Sequence, residues 1–106
     1  MDYNRIRHDY PTAWNNFRDY SDSVKSVKSD ANCMVRSLYD FFDSKDIRIV
    51  ITYDEKIGSW DATYYCDRQV EPDRWFPNRV LSEEHAFNRA FEILDDKLKW
   101  YSYDNI

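Results

Sequence analysis

Residues 47–67 read IRIVITYDEKIGSWDATYYCD. Ile47, Ile49, Ile51 and Tyr53 alternate with Arg48, Val50 and Thr52. Trp60, Ala62, Tyr64 and Cys66 alternate in the same way with Asp61, Thr63, Tyr65 and Asp67. A period of two places each set on one side of a strand. The runs are joined by a polar link that holds the single glycine of the chain, Gly58. Two such runs around a glycine-bearing turn predict a β-hairpin. Its isoleucine and Trp/Ala/Tyr/Cys rows form an apolar face that other elements must cover.

Helical patterns flank the hairpin on both sides. Before it, Tyr10, Phe17, Val24, Ala31 and Leu38 form one heptad row, and Ala13, Tyr20, Val27, Met34 and Phe41 form the row beside it. This is the three-and-four spacing of a helical seam. Its middle, SDSVKSVKSD at 21–30, is rich in side chains that compete with the helical backbone. Two readings of residues 12–44 follow: one helix of about 33 residues and roughly 50 Å, or two helices broken near 21–30. Ordinary helices average about 11 to 12 residues, which favours the break. A continuous helix would outrun the sheet and make a homodimer through the 10–42 seam.

After the hairpin, Pro72 and Pro77 interrupt RQVEPDRWFPNRVL at 68–81. Proline removes a backbone donor, so a loop is expected there. Val70 extends the second strand, and Val80 with Leu81 makes a short edge strand. Ser82 is expected to cap a last helix, with Glu83 and Glu84 in its first turn and a stripe of Phe87, Ala90, Phe91, Leu94, Leu98 and Tyr101. Trp100, Tyr101 and Tyr103 are expected to pack. Residues 1–9 are polar and read as a frayed arm. The expected fold is a single α+β domain over 1–106, in the order α(α)-β-β-(β)-α. Its antiparallel sheet has two or three strands and is covered by helices. Leu38, Phe41, Ile49, Ile51, Phe87, Phe91 and Leu94 are its expected core.

Composition narrows function by exclusion. With one glycine in 106 residues, glycine-built phosphate loops are excluded. No apolar run is long enough to span a membrane, and the first ten residues do not read as a signal peptide. A cytoplasmic or host-cytoplasmic setting is the expectation. Cys33 and Cys66 are expected as buried small hydrophobes rather than a disulfide pair. His8 and His85 have no second ligand at metal spacing, so no metal and no cofactor are expected. No nucleophile–base pair is readable, and the protein is expected not to be an enzyme.

Three features point to binding. Aromatic residues are 18% of the chain, many for one small core, so some should reach the surface, where Tyr and Trp suit interfaces. Arg74, Trp75, Phe76 and Arg79 lie close together between and beyond the two prolines, and Arg and Trp are common interface hot spots. Tyr65, on the polar row of the hairpin, is a possible extension of the same surface. The expected function is therefore non-enzymatic binding of another protein. The competing structural role for the stretch is a plug, with Trp75 and Phe76 on the core and the arginines paired to Asp67, Glu71 and Asp73. A second functional reading rests on the net charge of −5 and fifteen aspartates. It is an acidic nucleic-acid mimic that inhibits a host nucleic-acid enzyme, in the class of phage anti-restriction and anti-CRISPR proteins. Direct nucleic-acid binding is disfavoured by the same charge.

Overall fold

A computed structural model describes residues 1–23, 31–66 and 69–104. Four helices and three strands follow in the order α1 (Tyr3–Asp9), α2 (Pro11–Ser23), α3 (Ala31–Ser44), β1 (Ile47–Asp54), β2 (Ser59–Cys66), β3 (Gln69–Phe76) and α4 (Arg79–Asp104). The sheet is antiparallel with strand order β1-β2-β3. The chain is a small α+β domain, as its patterning implies.

The hairpin forms in the expected register. Ile47 faces Cys66, Ile49 faces Tyr64, Ile51 faces Ala62 and Tyr53 faces Trp60. The turn works because Gly58 adopts φ +71, a region that a side chain disfavours. Its N–H donates to the Asp54 carbonyl at 2.7 Å. The Asp54 carboxylate accepts the Lys56 N–H at 3.0 Å, a local bond that suits Asp to turns.

Residues 24–30 lie outside the described residues, but the question of one helix or two is settled by distance. The Phe17 and Phe41 ring centroids are 5.3 Å apart, and those of Tyr20 and Phe41 are 5.5 Å apart. On one straight helix, residues 17 and 41 would be about 36 Å apart. Helix α3 therefore folds back against α2. Ala13, Phe17, Leu38 and Phe41 are all buried, so these members of the seam are spent on the core of their own chain.

Three expectations change. Residues 3–9 form helix α1 rather than a frayed arm. Asp2 caps it by accepting the Arg5 N–H at 3.1 Å, and its Ile6 is buried in the core. The stretch 69–76 is a third strand rather than a loop. It lies at the sheet edge, the place where a strand tolerates the missing donor of Pro72. Helix α4 starts one turn before Ser82. Asn78 caps it, accepting the Leu81 N–H at 2.9 Å. Val80 and Leu81 are thereby helical, and the Ser82 hydroxyl donates back to the Arg79 carbonyl at 2.8 Å.

One face of the sheet carries the core. Helices α3 and α4 pack on it, and α2 packs on α4. Leu38, Phe41, Ile49, Phe87, Phe91 and Leu94 are buried as expected, together with Phe42, Ile47, Ala62 and Tyr64. Ile51 is only partly buried, because it lies near the free side of an edge strand. Cys66 is half-buried in the core-face row. The side chains of Cys33, Trp100, Tyr101 and Tyr103 lie outside the described residues.

Candidate binding surface

The other face of the sheet is built from the polar rows of the strands. Arg48 on β1 pairs with Tyr65 on β2, and Tyr65 pairs with Val70 on β3. Val50 pairs with Thr63, and Thr63 with Pro72. Because these residues stand opposite the core row, they share the outer face. Tyr65 is 42% exposed and Val70 56% exposed.

The third row is irregular, and the irregularity places Trp75. Trp60 pairs with Phe76 and Ala62 pairs with Asp73, so Arg74 and Trp75 together oppose the single residue Asp61. This is a β-bulge, one extra residue in the edge strand. Trp75 adopts φ +74, unusual for a bulky side chain. Its N–H donates to the Asp61 carboxylate at 3.3 Å. The indole is 74% exposed, the largest exposure of any large apolar side chain in the described residues.

The extra residue also divides the expected site. Past the bulge, Phe76 falls in the core-face row with Trp60 and Tyr53. There it packs partly buried, with its ring centroid 5.1 Å from that of His85 on α4. Of the two aromatics expected either to plug the core together or to face a partner together, Phe76 plugs and Trp75 faces out. The backbone of Arg74 lies in the bulge, and its side chain is outside the described residues, as is Arg68 entirely.

Arg79 belongs to a different group. It stands in the first turn of α4, where its Nε donates to Glu83 Oε1 at 2.8 Å. Glu83 Oε2 accepts the Tyr39 hydroxyl at 3.1 Å. Burial, and then the Glu83 charge, hold the Tyr39 phenol well above the usual tyrosine range. Arg79 thus pairs with Glu83; the side chains of Asp67, Glu71 and Asp73 lie outside the described residues. The bond ties α4 to α3 through Tyr39 and takes Arg79 away from the sheet's outer face. The i,i+4 spacing of Arg79 and Glu83 was visible in the sequence, but only a helix start at 79 makes it a contact.

At the opposite end of the outer face, Asp43 and Asp46 at the α3–β1 turn join Arg48 and Tyr65 around a shallow open groove. Among the described residues no three His, Cys, Asp or Glu side chains converge as a metal site. None of the helices there is long and apolar enough to cross a membrane. The chemistry available on this face is therefore aromatic contact, hydroxyl hydrogen bonding and scattered charge. No family model, no curated protein and no solved structure matches the chain.

Proposed function

We propose that this protein acts without catalysis, by binding another protein through the outer face of its sheet. Trp75 and Tyr65 are the anchors, Val70 lies beside Tyr65, and Arg74 precedes Trp75 in the sequence. The observation that carries the reading is Trp75. A backbone in a sparsely populated region costs of order 1–3 kcal/mol. An indole left 74% exposed returns little of that to folding. A Trp presented in this way is the kind of residue that dominates binding energy. Eight-residue strands give a face about 26 Å long, and three of them make it about 14 Å wide. That is smaller than the roughly 800 Å² per partner of a standard interface, so this face serves as the centre of a larger contact.

The acidic-mimic reading has less support. It needs carboxylates arrayed on one surface. Asp2 caps α1, Asp54 closes the hairpin turn, Asp61 holds the bulge and Asp95 is buried. Among the described residues, Asp43 and Asp46 gather at the groove.

Affinity capture from extracts of the source cell tests the proposal. Trp75→Ala should weaken capture of the partner about thirtyfold, the size of a hot-spot loss. Tyr65→Ala should weaken it less, and Ile57→Ala, in the exposed hairpin turn, should leave it unchanged. Retention should survive moderate salt, because exposed charge pairs, and not aromatic contacts, are what salt screens. Binding indifferent to Trp75→Ala overturns the proposal. Binding that collapses with salt, toward a nucleic-acid enzyme, favours the mimic. Steady turnover of a small substrate, lost on changing one carboxylate or histidine, contradicts both readings.

A further inference from the structure

The two edges of the sheet are unlike. Edge strands invite pairing with another chain unless something blocks them. β3 is blocked twice, by Pro72 and by the bulge at Trp75. β1, IRIVITYD, has no proline, glycine or lysine, and its eight residues pair with β2 without a break in register. Its unpaired side is also where the core thins. Ala62 is fully buried, whereas its neighbour Ile51 is only partly covered and Tyr53 is 51% exposed.

We propose that β1 pairs antiparallel with β1 of a second copy, joining two sheets into one of six strands about a two-fold axis at Ile51. The choice of a second copy rests on charge complementarity along the strand. With Ile51 opposite itself, Arg48 meets Asp54 of the other copy, and by symmetry Asp54 meets Arg48, so two opposite-charge pairs form on the outer face. On the core face Tyr53 meets Ile49, an aromatic–β-branched pair of the kind that stabilises sheets. A slip of one residue would set the apolar row against the polar row. A slip of two residues either way keeps the faces but is also disfavoured. One way opposes Asp54 to Asp46, and the other opposes Arg48 to Lys56. Both are like-charge pairs, which destabilise when directly opposite. The sequence of β1 and its flanks therefore selects one self-pairing register. The contact is isologous and closes on itself. It is separate from the outer-face surface, and it would set two such surfaces side by side.

Sedimentation equilibrium over a concentration series tests this. The wild-type chain should approach twice its 13.0 kDa mass as concentration rises. Arg48→Glu alone and Asp54→Lys alone each turn both pairs repulsive and should weaken the dimer about tenfold or more, from the sizes of cross-strand charge effects. Both positions are outside the core, and circular dichroism of Arg48→Glu, which keeps the Asp54–Lys56 turn bond, should show unchanged helix and strand content. An equimolar mixture of the two variants should recover the dimer, because each then meets an opposite charge in the other. So should the double variant Arg48→Glu/Asp54→Lys. A chain that stays at 13.0 kDa at every concentration overturns the proposal. A dimer that neither single variant weakens, or that the mixture fails to restore, places the interface elsewhere and overturns it equally. None of these outcomes depends on the identity of the partner captured through Trp75.

Discussion

Replacing Phe91 by alanine should lower the free energy of unfolding by about 3 to 5 kcal/mol, the range for deleting a buried ring. Phe91 is fully buried where α2, α3 and α4 meet. Its ring centroid lies 4.9 Å from that of Phe42, edge-on, and 6.1 Å from those of Phe17 and Trp14. Edge-to-face pairs of this kind add about 0.5–1.5 kcal/mol beyond buried area, and the cavity would open between three helices that cannot all collapse into it. A domain of this size has about 5 to 15 kcal/mol in total. Phe91→Ala should therefore move the urea midpoint strongly, with the slope unchanged. Val80→Ala, on the exposed side of the same helix, should stay within about 0.5 kcal/mol. A loss below about 1 kcal/mol for Phe91→Ala would mean that α4 does not pack as described.

The second large effect should come from a charged residue. Asp95 is 1% exposed, within the apolar stripe of α4. One carboxylate oxygen accepts the N–H of Ala13 at 3.0 Å, and the other takes the Lys99 ammonium at 2.8 Å. Ala13 is the third residue of α2, where the backbone N–H has no partner within its own helix. Asp95 thus caps α2 from a position 82 residues away in sequence. Asp95→Ala would leave that N–H buried and unsatisfied, at about 1–3 kcal/mol, and remove a cap, at about 1 more. The expected loss is about 2 to 4 kcal/mol by chemical denaturation. Lys99 is half-exposed, so solvent screening discounts its share of this. Asp95→Asn keeps an acceptor oxygen for Ala13 and should recover about half. Equal losses for Ala and Asn would shift the weight from the hydrogen bond to the charge.

Phe91 belongs to the stripe that periodicity identifies and was read as core, whereas Asp95 was left out of that stripe. Asp95 lies four residues after Phe91, on the same face, and an acid in that position signals a buried partner. Which partner it has depends on where α2 ends up, and that is a tertiary fact. The hairpin was legible because period-two alternation is local, and it appears in the structure in the expected register from Ile47 to Cys66. The third strand was hidden by Pro72, since a proline forbids a central strand but not an edge, and edge or centre is decided only by the assembled sheet. The bulge was hidden for a related reason. One extra residue exists only relative to the partner strand, and that single residue sends Phe76 inward and Trp75 outward. Reading 74–76 as one patch therefore joined residues that the sheet separates. Arg79 was lost to the same patch because the helix was expected to begin at Ser82, which left its bond to Glu83 out of view.

The central claim is that Trp75 serves contact and not the fold. Equilibrium unfolding of Trp75→Gly measures this directly. Glycine accepts a positive φ without strain, and the indole it removes is mostly in water. The account predicts a variant as stable as the wild type, or up to about 1 kcal/mol more stable. A loss of about 3 kcal/mol or more, the size seen when a buried Trp is truncated, would show that Trp75 is part of the core and would contradict the outer-face account.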